Sequence, residues 1–149
     1  MHNAHAGLAR SEREGPLQTV ITQNIDGLQQ ATGSRNVFEL HGNTRRIVCL
    51  KCGQHHTMEA VYQCLETRLP PACPDCGGTL KPDVVFFGES LPADVLMRAI
   101  SESETCDLFL VVGSSLVVQP AAALPVAVRR KGARLLVFSS VFCIGLFHT

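Results

Sequence analysis

Two cysteine couplets are the residues whose type and spacing point most directly to chemistry. They read Cys49-Leu-Lys-Cys52 and Cys73-Pro-Asp-Cys76, and twenty residues separate them. Four thiolates presented on two C-x₂-C turns can surround one Zn²⁺ as a tetrahedron, the usual form of a structural zinc site. Each couplet is followed by glycine, which permits the tight turn that brings backbone amides towards the sulfurs. The sequence therefore predicts one structural zinc per chain.

A pair of disulfides and a redox-active C-x-x-C are the other interpretations of these couplets. The chain begins MHNAHAGLARSEREG, which contains no apolar segment of the kind that directs secretion. We therefore expect a reducing compartment, where disulfides are rare. The cysteines outside the couplets, Cys64, Cys106 and Cys143, are expected to behave as small hydrophobes.

A histidine precedes the first couplet in the segment Glu39-Leu-His41-Gly. An imidazole can take a proton from a hydroxyl group and return it, so His41 is a candidate general base. A core histidine that donates to a carbonyl group is the alternative, and it is the commoner case for a lone histidine.

Two polar loops each follow an apolar run, and both could meet a nucleotide. The first, residues 22–27, is T-Q-N-I-D-G, whose amide and carboxylate groups could orient a ribose hydroxyl or a carboxamide. The second, residues 113–115, is G-S-S between a predicted strand and helix, where backbone N–H groups and hydroxyls can meet phosphate oxygens. The first loop also suits a plain turn, and the second matches no common nucleotide motif.

Five segments occur along the chain in a fixed order. They are TQNIDGL (22–28), ELHG (39–42), the four-cysteine insertion, KPDVVFFGE (81–89) and VVGSSLVVQP (111–120). This set resembles the sirtuins, the NAD-dependent protein lysine deacylases, and the resemblance covers residues 2–137, since residues 3–8 also look like a family segment. It implies an α/β fold, with a partial Rossmann-like parallel sheet and an inserted four-cysteine zinc-ribbon module.

The resemblance also implies the reaction and the residues that carry it. The acyl group passes from lysine to the ribose of NAD as nicotinamide leaves, and the enzyme needs an acyl-lysine protein or peptide, NAD and a structural Zn²⁺. The implied catalytic residues are His41 and Asn24, and the implied metal ligands are Cys49, Cys52, Cys73 and Cys76. The implied NAD contacts are Gln23, Asn24, Ile25, Asp26, Gly113, Ser114 and Ser115. The implied substrate contacts, in a strand-like segment, are Val84, Phe86, Phe87, Gly88 and Glu89.

Two other functions stay open at this point. A mono-ADP-ribosyltransferase shares the release of nicotinamide but passes the ribose to a protein nucleophile. A non-catalytic zinc-stabilised interaction module would bind partners without turnover. The sequence also departs from the family pattern, because it lacks the glycine-rich GAG-I-S phosphate loop and because residues 139–149 match nothing in the family. We therefore expect a truncated chain with a divergent C-terminus that is inactive or weakly active.

Apolar runs predict the elements that position these residues. Strands are expected at 18–22, 107–112 and 134–138, and helices at about 90–103 and 120–131, an order typical of a parallel βαβ unit. Ligands of such sheets bind beyond the carboxyl ends of the strands, where both polar loops fall. Residues 47–80, with a short helix near 58–68, form the inserted module, which leaves 1–46 and 81–149 for the NAD-binding domain.

Composition limits the remaining function classes. The 149 residues are 46% hydrophobic and 17% charged, as in one globular domain. Thirteen basic and thirteen acidic side chains cancel, so no direct binding of nucleic acid is expected. The longest apolar tract is shorter than the roughly twenty residues that span a bilayer. A cytoplasmic, non-membrane protein is predicted, although an organellar presequence is left open.

Overall fold

The computed structural model describes residues 3–65 and 69–138. The chain folds into two compact units, residues 1–95 and 96–149. The side chain of Cys64, the residue Cys143 and the divergent segment 139–149 lie outside the described residues.

The first unit begins with a helix and a parallel pair of short strands. Helix α1 spans Asn3–Arg13, strand β1 spans Val20–Thr22, helix α2 spans Leu28–Ala31 and strand β2 spans Val37–Glu39. Strand β1 pairs with β2 in register from Val20 opposite Val37 to Thr22 opposite Glu39. Because the two strands are parallel, their carboxyl ends lie side by side, and the TQNID and ELHG segments leave from the same edge.

A three-stranded antiparallel sheet follows in the same unit. Strand β3 spans Gly42–Cys49, β4 spans His55–Thr57 and β5 spans Leu80–Val84, in the order β4-β3-β5. Helix α3, Met58–Leu65, lies between β4 and β5 in the chain. This sheet and helix share an apolar core with two of the couplet cysteines, formed by Ile47, Cys49, Val61, Cys73 and Leu80. The couplets are therefore packed into the end of a sheet.

The second unit contains the predicted βαβ arrangement. Helix α4, Ala93–Thr105, begins at the end of the first unit, and β6 (Leu108–Val112), α5 (Ala123–Arg130) and β7 (Arg134–Phe138) follow. Strands β6 and β7 pair in parallel with no shift of register. Helix α5 buries Leu124, Pro125 and Val128. The parallel pairs in both units and the cysteine-bearing sheet confirm the α/β class with an inserted four-cysteine module.

The predicted elements agree with the structure apart from their ends. The strand predicted at 18–22 is β1, shortened to three residues, and the helix predicted at 120–131 begins at Ala123 because residues 120–122 form turns. The helix predicted near 58–68 is α3, and residues 66–68 lie outside the described residues. No helix in the described part of the chain combines the length and apolar character needed to cross a bilayer.

Candidate active site and metal centre

His41 lies where the parallel strands β1 and β2 end. The pairing continues past β2, since the Leu40 N–H donates to the Thr22 carbonyl at 3.0 Å. The half-buried imidazole of His41 then places Nδ1 3.0 Å from the carbonyl oxygen of Gln23. A carbonyl oxygen only accepts, so Nδ1 carries the proton and Nε2 of the neutral ring is left with its lone pair. The contact expected of a core histidine is thus also compatible with a general base.

The backbone beside His41 is held against strand β5. The Val85 N–H donates to the His41 carbonyl at 3.0 Å. Gly42 has φ +76°, and a β-carbon there would collide with the Asp83 carbonyl oxygen. Only glycine therefore allows the ELHG turn and the end of β5 to approach this closely.

The TQNID loop is ordered by its own side chains and by strand β3. The Asn24 N–H donates to the Thr22 hydroxyl at 3.1 Å, and the Leu28 N–H donates to an Asp26 carboxylate oxygen at 2.9 Å. The Ile25 carbonyl accepts the N–H of Thr44 at 2.9 Å and its hydroxyl at 3.0 Å. The side chains of Asn24, Ile25 and Asp26 are exposed, so a ligand beside His41 can reach them.

A buried carboxylate supports the same corner of the fold. The Glu39 side chain is 6% exposed, and it accepts hydrogen bonds from Asn43 Nδ2 at 2.6 Å and Arg46 Nη1 at 2.8 Å. Arg46 also donates from Nε to Asp83 at 3.0 Å, so it joins β2, β3 and β5. Sequence reasoning missed this network, because two of its bonded members, Arg46 and Asp83, are 37 residues apart and no local spacing signals it.

The segment predicted to hold substrate does not continue as a strand. Strand β5 ends at Val84, and the Glu89 N–H donates to the Phe86 carbonyl at 3.0 Å, which closes a turn. The Glu89 carboxylate accepts the Phe86 N–H at 3.0 Å and Lys81 Nζ at 3.2 Å. These contacts, the Phe86 N–H above all, lower the pKa of Glu89. The strand-like prediction for residues 84–89 is therefore wrong beyond Val84, and Phe87 projects fully exposed.

The predicted nucleotide loop of the second unit follows strand β6. Gly113 has φ +64° and donates its N–H to the Phe138 carbonyl at 2.8 Å, which ties the loop to the end of β7. The Leu116 N–H donates to the Ser114 hydroxyl at 3.2 Å. Ser115 is exposed. The loop thus stands at the carboxyl ends of two parallel strands, as the sequence predicted for residues 113–115.

The four couplet cysteines converge in the first unit. Their sulfurs all lie within 4.8 Å of one another, with Cys49 to Cys76 at 3.5 Å and Cys52 to Cys73 at 3.9 Å. None of the four is in a disulfide. Tetrahedral Zn–S bonds of about 2.3 Å place sulfurs roughly 3.8 Å apart, so these positions fit one zinc ion.

The two cysteine turns have the same construction. The Gly53 N–H donates to the Cys49 carbonyl at 2.9 Å, and the Gly77 N–H donates to the Cys73 carbonyl at 2.8 Å. Gly78 passes so close to the sulfurs that a β-carbon there would lie 2.9 Å from Cys49 Sγ. Gly53 (φ +73°) and Gly77 (φ +70°) therefore serve the turns, as their positions in the sequence indicated, and Gly78 serves close approach.

The electrostatics of the thiols also favour a cation among them. Backbone N–H groups, first that of Cys52 and then that of Lys51, lower the pKa of Cys49 to about 6. The Gln54 N–H also lowers the pKa of Cys52. The contacts of Cys52 with Cys76 and Cys49 act in the opposite direction, and the pKa of Cys52 is raised to about 12. Adjacent sulfurs cannot all ionise without a compensating charge, which Zn²⁺ would supply.

Comparisons with known proteins agree with this geometry. The sequence profile described as "Sir2 family" matches residues 1–120. A protein named NAD-dependent protein deacetylase from Thermotoga maritima is 47% identical over 134 residues, which cover 90% of this chain and 54% of the relative. The chain therefore spans about half the length of the curated relatives it matches.

Solved structures extend the agreement to the fold. A structure described as Sir2 bound to acetylated peptide matches with a TM-score of 0.87 and 46% identity, over 91% of this chain and 57% of that chain. A structure described as Sir2-p53 peptide-NAD+ matches with a TM-score of 0.84 and 47% identity, over 90% of this chain and 56% of that one. The predicted Rossmann-like α/β class is confirmed by these matches.

Proposed function

Because this chain belongs to the Sir2 family, we propose that its protein is an NAD-dependent protein-lysine deacylase. The observation that carries the proposal is the contact of His41 Nδ1 with the Gln23 carbonyl at 3.0 Å. It joins the ELHG and TQNID segments and leaves Nε2 of His41 ready to accept a proton. The relatives are named for this activity, and one of the matching structures is described as containing both a peptide and NAD.

In this proposal the residues of the first unit handle one proton and one leaving group. NAD supplies the ribose that accepts the acyl group as nicotinamide departs. His41 takes a proton at Nε2 from a ribose hydroxyl, and the Gln23 carbonyl holds the ring in the tautomer that this step needs. Asn24 orients the hydroxyl or water at the ribose end, and Ile25 and Asp26 border the nicotinamide. General-base catalysis of this kind contributes about 10²–10⁴-fold to a rate.

The other predicted site residues have binding roles in the proposal. The exposed turn after β5 borders the acyl-lysine, and the loop 113–115 meets the ribose and phosphates of NAD through its backbone and hydroxyls. Extended backbone at the end of β5 offers an edge to which a peptide can add as a strand. The proposed substrate contacts are Val84, Phe86, Phe87, Gly88 and Glu89, and the proposed NAD contacts of the second unit are Gly113, Ser114 and Ser115.

The metal has a structural role in the proposal. Cys49, Cys52, Cys73 and Cys76 would hold Zn²⁺ with four protein ligands, so no coordination position is left for a substrate. We assign residues 47–80 to this module and residues 1–46 and 81–149 to the NAD-binding domain. The cytoplasm is the proposed compartment, since unpaired cysteines persist in a reducing environment. The balanced net charge argues against direct nucleic-acid binding.

Product analysis tests the proposed function. The 149-residue chain, and a chimera that adds the uncovered part of the Thermotoga maritima relative, are incubated with NAD and an acetyl-lysine peptide. Nicotinamide and an O-acetyl-ADP-ribose product in equal amounts are expected from a deacylase. Nicotinamide with ADP-ribose attached to protein would instead identify a mono-ADP-ribosyltransferase. If neither species releases nicotinamide, the deacylase proposal is wrong and a zinc-stabilised binding module is the better description.

A further inference from the structure

We propose that His56 is a positioning residue of the cysteine site, whose imidazole donates a hydrogen bond from Nε2 to the sulfur of Cys73 and stabilises that sulfur as a metal-bound thiolate. This inference rests on the proposal that the four couplet cysteines hold zinc. It adds a residue outside the C-x₂-C pattern to the machinery that retains the metal.

The geometry places the imidazole directly on the sulfur. His56 Nε2 lies 3.3 Å from Cys73 Sγ. The His56 side chain is only 9% exposed, and Cys73 is 2% exposed, so water is largely excluded from the contact. His56 is fixed in strand β4 opposite Ile47 of β3, so the backbone pairing sets the position of the ring. The contact therefore joins two largely buried side chains, and the pairing of β4 with β3 holds the imidazole in place.

His56 acts from outside the metal tetrahedron. In the described part of the chain, the four cysteine sulfurs form one set whose members all lie within 4.8 Å of one another. The ligand atoms of His56, Cys73 and Asp75 form a second such set, and Cys73 belongs to both. The imidazole therefore contacts one ligand without joining the set that surrounds the metal position, as an outer partner of a metal ligand does.

The chemistry of the sulfur decides the direction of the hydrogen bond. A thiolate bound to zinc has no proton to give, so Nε2 of His56 must carry the proton and donate it. Four thiolates around one Zn²⁺ leave two negative charges in excess, and a buried sulfur lacks water to spread that charge. The Asp75 carboxylate lies 3.9 Å from the same nitrogen, beyond hydrogen-bonding distance, so the sulfur is the nearer acceptor.

The neighbouring histidine offers a matched control. His55 belongs to the same strand, but its side chain is 61% exposed and its Nδ1 lies 3.9 Å from a carboxylate oxygen of Asp83. Replacing either histidine by phenylalanine keeps a ring of similar size in strand β4 and removes the imidazole donor. Only the change at His56 removes a donor from the cysteine site.

The test compares His56→Phe, His56→Gln and His55→Phe in the zinc-loaded full chain by competition with a chromogenic chelator. His56→Phe is expected to weaken zinc binding by about 10–100-fold, the usual effect of removing an outer partner of a ligand. His56→Gln retains an amide donor and should recover part of the affinity, and His55→Phe should match the unaltered chain. With Co²⁺ in place of zinc, His56→Phe should also shift the sulfur-to-cobalt absorption bands, because Cys73 loses a donor.

A measurement on the unaltered chain keeps the proposal testable if His56→Phe does not fold. In the ¹¹³Cd-loaded chain, NMR should find a proton on His56 Nε2 coupled to the metal through Cys73, and a cadmium shift typical of four sulfurs. An unprotonated Nε2, a nitrogen ligand on the metal, or unchanged affinity and spectra in His56→Phe would overturn the assignment of His56. A chain that binds no metal at all would instead overturn the cysteine site.

Discussion

At the scale of single residues, the contact of His41 with Gln23 fits both a role in the fold and the proposed chemistry. The Gln23 carbonyl accepts from Nδ1 at 3.0 Å and so decides which nitrogen is protonated. The sequence left two interpretations of His41 open, a core histidine bonded to a carbonyl and a general base. The geometry is compatible with both, because a ring that donates from Nδ1 keeps the lone pair of Nε2 available to accept a proton.

Gly42 is the residue at which this arrangement is most easily broken. Alanine there would adopt an unfavourable φ of +76° and meet the Asp83 carbonyl. Gly42→Ala is expected to lower the free energy of unfolding by at least about 2 kcal/mol, from strain and overlap together. Gly15→Ala is the control, since Gly15 has φ +99° but open space around its β-carbon. Equal losses for the two variants in denaturant titration would show that the close approach to Asp83 does not matter.

Glu12 provides a prediction about pH. Its carboxylate accepts the N–H groups of Asn36 at 2.8 Å and Arg35 at 2.9 Å, which lower its pKa from 4.5. A carboxyl group with a lower pKa in the folded state stabilises the fold above the unfolded pKa, and that stability is lost as pH falls through the folded pKa. Glu12→Gln should cost about 1 kcal/mol at neutral pH, a value reduced for exposure, and less in acid.

Denaturant titration of Glu12→Gln at neutral pH and at about pH 3 measures this difference. Glu14→Gln is the control, because the Glu14 carboxylate, just after α1, accepts from Nε of Arg10 at 2.6 Å and both side chains are exposed. A cost for Glu12→Gln that stays constant with pH would contradict the role of the ionised carboxylate.

At the scale of elements, the Glu39–Arg46–Asp83 network joins the strands that carry the proposed active site. Removing Arg46 leaves a carboxylate that is 6% exposed without its cation. Arg46→Met should lower the free energy of unfolding by about 1–3 kcal/mol, while Glu39→Gln with Arg46→Met together should cost less than the sum. A double-mutant cycle by denaturant titration measures the coupling. Costs that simply add would show that the two side chains do not stabilise each other.

The elements also show what a sequence can and cannot reveal. The cysteine site was predictable because each C-x₂-C couplet lies within four residues and the two couplets repeat the same turn. Strands β6 and β7 were predictable because each is a continuous apolar run. Helix α5 was predictable because Gly132 marks its end. The Glu39–Arg46 ion pair was not, since charged residues on neighbouring strands carry no signal until the register between those strands is known.

The turn after β5 is an instructive miss at the same scale. V-V-F-F is rich in residues that favour strands, so an extended segment through residue 89 was predicted. The structure ends the strand at Val84 because the Glu89 carboxylate accepts the Phe86 N–H and Gly88 turns with φ +89°. A side-chain contact three residues away overrides propensity here, and it leaves Phe87 open to solvent.

At the scale of the whole molecule, the cysteine site is the main candidate for a long-range stabiliser of the first unit. It ties residues 49–52 to residues 73–76, and structural zinc contributes roughly 10 kcal/mol or more of apparent binding free energy to folding. Cys49→Ser should therefore release zinc, detected by metal analysis, and unfold the β4-β3-β5 sheet. Cys106→Ser changes a cysteine outside the set and should keep the metal. Full zinc content and stability in Cys49→Ser would contradict the proposed site.

The proposed activity also belongs to the whole molecule. The chain spans about half of its relatives' length, so the chimera with the remaining part of the Thermotoga maritima relative is the form in which turnover is measured. In that form His41 has one assigned step, the removal of a proton from the ribose after nicotinamide has left. Replacing His41 should therefore separate the first half of the reaction, release of nicotinamide, from the second half, transfer of the acyl group.

The most direct test of the account compares the two halves in His41→Ala, with His55→Ala as the control for loss of an exposed histidine. Radiolabelled nicotinamide exchange reports the first half, and formation of O-acetyl-ADP-ribose reports the second. We predict that His41→Ala keeps its zinc and its nicotinamide exchange but loses about 10²–10⁴-fold in the rate of acyl transfer. His55→Ala should retain both nicotinamide exchange and acyl transfer. Near-normal acyl transfer in His41→Ala would contradict the account, because His41 would then be a structural histidine.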